Sequence, residues 1–360
     1  MNWKRNGRYL LSLLISVLLA FLVGALILGI TGHSPLKAYA AMIEGAFRNA
    51  RNRGDVLEYA MVLALCGLAC DLGSRVGIFN VGGEGQLLLG AIMSCQVGVA
   101  LQGQSPWLVY PLAALAAILT GGIYALIPGV LKVKVKVNEV ITTIMLNTIA
   151  ASVCQYLAKG PWKNANKNMV AATSGLDVRH WFGGLIPGSN LSTAIFAAAI
   201  IAFLIWYVMQ KTTTGFEMKI TGQNPRFARF SGMKVDRKII VCMTISGAIC
   251  GLVGMFRVYG AVHLFRAGVS KDYYFEGLMV AMIAQYQPLA TILLSLFFAV
   301  LKIGAQGMEL VGVPNQMYLI IQTVIIFFMA AQAGFLDLLH ARLQKRRSRS
   351  KSGKGAASHV

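Results

Sequence analysis

The segment Lys211–Lys238, KTTTGFEMKITGQNPRFARFSGMKVDRK, is the longest polar stretch between apolar runs. Its residue types suit recognition of a partner. Asn224 is placed to act as an N-cap, and Pro225 suits the first helical position, where a missing N–H costs nothing. Gly232 then supplies a C-terminal stop. On the short helix so predicted, Phe227 and Phe230 lie three apart on one face, with Arg226 and Arg229 on the next. A loop that only joined two membrane helices would not need a capped, basic helix with an aromatic face. This one is built to be held by a soluble partner.

A second set of polar residues lies within apolar sequence. Five glycines fall in the thirteen residues from Gly73 to Gly85, with Glu84 and Gln86 beside them. A carboxylate at membrane depth is costly unless it is paired or faces water. Glycine-rich interruption fits a broken helix whose freed backbone groups form a substrate path or a hinge. Tight packing through small residues is the other reading. Further on, Asn138 caps a helix on which Glu139, Thr143 and Asn147 follow at i, i+4 and i+8. Lipid contact along that stripe would be costly, so it should face the interior, either to bond a neighbouring helix or to touch substrate.

Other chemistries lack their signatures. The sequence has no GxxxxGK[ST] phosphate loop, so ATP hydrolysis by that route is excluded. Five histidines show no ligand spacing. Six cysteines are scattered singly through apolar segments, and Cys66 and Cys70 sit one turn apart with no second pair, so they read as small core residues. No metal site, catalytic group or proton relay stands out. Ion-driven transport agrees with the composition but leaves the capped polar helix unexplained.

The elements that must hold these residues are membrane helices. Hydrophobic residues make up 56% of the 360 and charged ones 13%. Runs near the ~20 residues needed to cross a bilayer recur from end to end. The net charge of +20 gathers at Lys4, Arg5 and Arg8, at Lys132–Lys136, at Lys211–Lys238 and after Arg342, and cations favour the cytoplasmic side. The reading is an all-α polytopic membrane protein of about ten transmembrane helices, with broken or re-entrant segments and both termini cytoplasmic. Residues 9–31 exceed a signal-peptide core, so an uncleaved first span is expected despite Ala38-Tyr39-Ala40. Arg48, Arg51 and Arg53 then lie outside, against the trend, and an interfacial helix accommodates them. Ser246, Gly247, Gly251 and Gly254 in the seventh span allow close helix approach. Phe79…Glu84-Gly85 and Phe275-Glu276-Gly277 each place an aromatic, an acid and a glycine at a short helix, a sign of two related halves.

Three blocks carry a family likeness. GIFNVGGEGQLLLGA (Gly77–Ala91), PGVLKVKVKVNEVITTIMLNTIA (Pro128–Ala150) and TTGFEMKITGQNPRFARFSGMKV (Thr213–Val235) resemble permease subunits of bacterial ABC importers. The group is the branched-chain amino acid, ribose and nucleoside type, nearest its nucleoside and simple-sugar branch. The resemblance covers Val56 to Ala331 and implies a transport subunit rather than an enzyme, in the bacterial inner membrane. It implies three partners besides the lipid bilayer: a separate ABC ATPase that uses ATP and Mg, a second permease (identical or a paralogue), and an extracytoplasmic solute-binding lipoprotein, with no nucleic acid and no cofactor on this chain. It marks Gly222, Asn224, Pro225, Ala228, Arg229 and Gly232 as coupling-helix positions, joined here by Phe227 and Phe230. Closure of the ATPase pair would push such helices together and flip the spans from outward- to inward-facing. The blocks holding Asn80, Glu84 and Gln86, and Glu139, Thr143 and Asn147, match motifs near the translocation path. The implied substrate is a purine nucleoside, with ribose-like sugars or riboflavin as alternatives. The domains expected are a cytoplasmic N-terminus (1–8), a transmembrane permease domain (9–335, with the coupling loop at 211–238) and a disordered basic cytoplasmic tail (336–360).

Overall fold

The computed structural model describes residues 3–164, 171–314 and 317–328, with side chains from residue 17. The basic tail and the end of the expected tenth span lie outside the described residues, as do the side chains of Lys4, Arg5 and Arg8. The described chain is helical, with only isolated β-bridges. In order the helices are α1 (Trp3–Ile30), α2 (Pro35–Phe47), α3 (Ala50–Arg75), α4 (Gly83–Ala100), α5 (Pro106–Lys134) and α6 (Glu139–Lys159). There follow α7 (Ala194–Lys211), α8 (Thr213–Gln223), α9 (Pro225–Phe230) and α10 (Val235–Arg257), which runs on into a π-helical turn at Val258–Val262. The last are α11 (Tyr273–Ile283), α12 (Pro288–Glu309) and α13 (Met317–Phe328).

The chain is a multi-pass membrane protein. By length and apolarity, six helices among the described residues can cross a bilayer: α3, α5, α6, α7, α12 and α10 with its π turn. A seventh arises if Val17–Ile30 and α2, bent by 117°, count as one span. The expected count of ten is therefore not reached on these grounds. Every expected span corresponds to a helix, but α11 is too short to cross alone, α13 is described only as far as Phe328, and α4 opens on Gly-Glu-Gly-Gln. Residues 35–47 form a helix before the second span, but Arg48, Arg51 and Arg53 are not on it: Arg48 lies in the connection that follows, and Arg51 and Arg53 fall in the first turns of α3. Helix α10 begins four residues earlier than expected and takes Asp236, Arg237 and Lys238 out of the polar loop.

The described residues fall into two compact units, those up to Gly45 with those from Gly304 on, and those between Ala46 and Ile303. In the first, the Tyr39 hydroxyl donates to the Phe21 carbonyl at 2.7 Å and the two rings meet edge to face. Gly45 and Gly307 leave room for backbone against backbone, since a Cβ on Gly45 would lie 2.7 Å from the Gly307 Cα.

In the second unit α3 is the most enclosed of the crossing helices, while α6 and α7 are the most exposed. A seam of small residues joins α4, α5 and α10. A Cβ on Gly251 would sit 2.2 Å from the Ala117 carbonyl oxygen, and one on Gly254 2.3 Å from that of Leu87. Close approach at such glycines is how apolar helices gain dispersion contact where burial from water drives nothing. That seam fixes α10 against α4 and so sets the geometry of the break that precedes α4.

Candidate functional site

Helix α3 ends at Arg75, and α4 does not begin until Gly83. Gly77 takes a φ of 78° at the turn, and the N–H groups of Val76 and Ile78 both donate to the Gly73 carbonyl at 3.1 Å. The break leaves backbone groups without helical partners, and each must be satisfied away from water. Side chains from several helices meet that demand. Asn80 Oδ1 accepts from Gly82 N at 3.0 Å and from Gln86 Nε2 at 3.2 Å. Its Nδ2 donates to Gln86 Oε1 and to Ser246 Oγ of α10, both at 2.9 Å. Ser246 Oγ donates onward to the Ala69 carbonyl at 2.6 Å. From α6, Asn147 Nδ2 donates to the Val81 carbonyl and its Oδ1 accepts from Gly85 N, each at 2.9 Å.

This break interlocks with the start of α11. The Tyr274 hydroxyl donates to the Asn80 carbonyl, and Tyr274 N donates to Glu84 Oε2 at 3.2 Å. Helix α11 has no side-chain cap of its own, so the Glu84 carboxylate stands in, at the end where the helix dipole favours negative charge. A Cβ on Gly83 would fall 2.0 Å from the Tyr274 ring, so only glycine admits that tyrosine. Both glutamates of the suspected repeat lie in the first turn of a helix, Glu84 in α4 of 18 residues and Glu276 in α11 of 11 residues.

The residues expected at this site therefore divide. Asn80, Glu84, Gln86, Thr143 and Asn147 gather around the break; Asn80 and Thr143 are wholly buried, Glu84 and Gln86 nearly so. Thr143 stands beside Gly82, where an added Cβ would come within 3.0 Å of its own Cβ. Glu139 stands apart. It pairs with Lys132 at 2.6 Å across the turn between α5 and α6. Tyr274, which sequence reasoning missed, and Ser246, read there only as a small packing residue, also take part; Asp71, on α3 ahead of the break, instead accepts at Oδ2 from Thr291 Oγ1 at 2.8 Å. Asp71 in an apolar run was a visible signal; Ser246 showed only its small size, and Tyr274 gave none beyond its segment.

The polar segment forms two helices, α8 and α9. Asn224 caps α9, its Oδ1 accepting from Phe227 N at 3.0 Å, and Pro225 opens the helix. Gly232, at φ 80°, closes the turn after it. Ala228 is buried, Arg229 pairs with Asp236 of α10 at 2.6 Å, and Phe230 is 93% exposed, Phe227 56%. Helix α8 was not anticipated. Thr212 caps it through Gly215 N at 3.2 Å, and Met218 packs with Val76, Ile78 and Cys242. Its Gly222 lies directly on the end of α3: a Cβ there would sit 2.4 Å from the Arg75 carbonyl oxygen and 3.0 Å from Gly77 N. The segment that carries the exposed phenylalanines thus rests, backbone on backbone, against the first residues of the break.

The model for the branched-chain amino acid transport system / permease component matches residues 52–330. The chain is 32% identical over 326 residues to the guanosine ABC transporter permease protein NupP of Bacillus subtilis, covering 90% of this chain and 93% of that one. It is 30% identical over 337 residues to the nucleoside ABC transporter permease protein NupB of Lactococcus lactis, covering 91% and 93%. It is 33% identical over 332 residues to the glucose ABC transporter permease protein TsgB13 of Haloferax volcanii, covering 89% and 87%. Such coverage leaves no large part of the chain outside the likeness, and the chain belongs to the branched-chain amino acid transport system / permease component family, as a membrane transport subunit rather than an enzyme.

Proposed function

We propose that this permease serves an ATP-driven importer of purine nucleosides in the bacterial inner membrane. Helix α9 couples it to a separate ATPase that uses ATP and Mg, beneath an extracytoplasmic binding lipoprotein and beside a second permease. The observation that carries this reading is the exposed Phe227–Phe230 pair on α9, which follows directly on α8, the helix seated through Gly222 against the break at Gly77. Motion imposed on α9 reaches that break through Asn224 and α8. Lys211–Lys238 and both termini lie on the cytoplasmic side in this reading, and α4, α11 and α13 complete about ten crossings as short or re-entrant elements.

Asn80, Glu84, Gln86, Thr143 and Asn147 shape the path by holding the break open as non-helical backbone, and Glu139 marks its cytoplasmic end. The groups gathered at the break are mostly amides and hydroxyls, which suits a neutral polar solute. The guanosine and nucleoside relatives support a nucleoside, while the glucose relative, as similar by identity, supports a simple sugar as the second reading.

The test is uptake of labelled guanosine, ribose, glucose and riboflavin into proteoliposomes. These contain the chain with its ATPase, second permease and binding protein, with and without internal ATP. ATP-dependent guanosine uptake is expected. ATP-dependent uptake of another solute instead keeps the importer and overturns the substrate; uptake indifferent to ATP overturns both. A second prediction concerns Gly222→Ala. The methyl group meets a backbone carbonyl that cannot swing aside, so α8 must shift off α3. ATPase association should persist while uptake per ATP falls about tenfold or more, the scale of a one-ångström displacement in a positioned assembly. Normal coupling in this variant would remove Gly222 from the transmission route.

A further inference from the structure

A cavity of about 400 Å³ opens between α8 and the start of α10, beside the coupling helix and distinct from the break. Its apolar lining is Met218, Met233, Val241 and Cys242, of which Met218 and Cys242 are buried and Val241 is exposed at the mouth. Its rim is basic, with Lys234, Arg237 and Lys238 set against the single acid Glu217. Lys238 already pairs with Glu217, so that acid is taken. Lys234 and Arg237 are exposed and have no ion-pair partner among the described residues.

The cavity continues into a surface of one kind. Along α10, positions 234, 238, 241 and 245 recur at helical spacing on one face. The first two are cations, and the last two, Val241 and Ile245, are exposed apolar side chains. This face is cationic at its polar end and hydrocarbon below it, the profile of a phospholipid seen along the bilayer normal. A water-soluble anion would use the rim and leave Val241 and Ile245 bare. An ATPase would be met by Phe227 and Phe230, and no residue of α9 lines the cavity.

We propose that this cavity binds the headgroup of an anionic phospholipid of the cytoplasmic leaflet. Lys234 and Arg237 meet the phosphate, and one acyl chain lies along Val241 and Ile245. Because Gly232 and Met233 form part of the wall, an occupied cavity braces the joint between α9 and α10. The assignment rests on the proposed cytoplasmic placement of the 211–238 segment, and its test needs neither transport nor substrate.

The full chain is purified and exchanged into mixed micelles of phosphatidylglycerol or phosphatidylcholine. Lipid that survives delipidation is then counted by mass spectrometry of the intact protein. The expected result is retained phosphatidylglycerol, with retention about thirtyfold weaker in Lys234→Gln/Arg237→Gln, the effect of two cations lost from an anionic surface. Lys219→Gln/Arg226→Gln, which removes two charges of the same segment away from the cavity, should keep the lipid. Val241→Trp fills the mouth without changing charge and should displace it, so a folding defect in the glutamine variant does not shelter the idea. Equal retention of phosphatidylcholine overturns the proposal, as does undiminished lipid in both cavity variants. Displacement by millimolar inorganic phosphate would assign the site to a free anion and overturn it. Loss of ATPase association from Lys234→Gln/Arg237→Gln with lipid unchanged would give the cavity to the ATPase. If the lipid result holds while uptake proves independent of ATP, the importer reading fails and the lipid site stands.

Discussion

Phe227→Asp/Phe230→Asp is expected to insert into the membrane like the parent chain and to lose its ATPase on co-purification. A six-residue helix has no stability of its own, because nucleation costs more than one or two turns return. Helix α9 is instead held from outside its aromatic face. Asn224 caps it, Ala228 is buried beneath it, Arg229 ties it to Asp236, and Gly232 turns the chain away. None of those contacts uses the side chain of Phe227 or Phe230, since the cap takes only the Phe227 backbone N–H, so both rings are free for a partner at little cost in folding when replaced. Buried aromatic anchors at interfaces each contribute about 2 kcal/mol or more, so losing two weakens binding roughly a thousandfold. The carboxylates add the cost of stripping water from charge in the groove that held a ring. Unchanged co-purification of the ATPase would sink the coupling reading, whatever the transport assay returns.

What was legible in the sequence follows from how local each determinant is. The cap, the proline and the terminal glycine of α9 act within a few residues, so their pattern alone located the helix. Helix α8 was invisible because TTGFEMKITGQ has little apolar periodicity; Met218 finds Val76, Ile78 and Cys242 only once the chain has folded. The glycine-rich stretch announced a break in the membrane segment. What it could not announce was that Ser246 and Tyr274, far along the chain, would satisfy the freed backbone at Asn80. Spacing placed Glu139 in one stripe with Thr143 and Asn147, but Lys132 lies across a tight turn and claims it. A helix period says which face a residue is on and nothing about what stands opposite. The ten expected crossings and the six or seven found among the described residues differ for a related reason. Hydropathy registers an apolar segment whether it traverses the bilayer or only enters it, and α11 is an apolar helix of 11 residues.

Arg257→Met is expected to cost about 3–5 kcal/mol of stability, read as a fall in melting temperature in detergent, because it leaves Glu58 buried and unpaired. Arg257 and Glu58 are each under a tenth exposed, and their ion pair joins α10 to α3 in the interior. The guanidinium also lies over the Tyr273 ring, 4.9 Å from its centroid. Close by, Tyr59 donates to Glu276, which pairs with Lys302 at 2.7 Å, so α3, α10, α11 and α12 are pinned by one connected set of charges. The set is not fully satisfied, for Arg257 Nε has no hydrogen-bond partner. A pair whose desolvation is incompletely offset should be replaceable. Glu58→Leu/Arg257→Met should therefore recover most of the stability that either single change loses, a coupling of several kcal/mol in the double-mutant cycle. Losses that simply add would show that the two side chains act separately. The position argues for more than stability. Arg257 is the last residue before the π-helical turn Val258–Val262, and such turns are maintained against a better-bonded α-helix chiefly at functional sites. A stable double variant that no longer transports would mean that the charges are kept for their ability to part and re-form as α11 moves. A stable double variant that transports normally would make them a packing solution, with apolar residues serving as well.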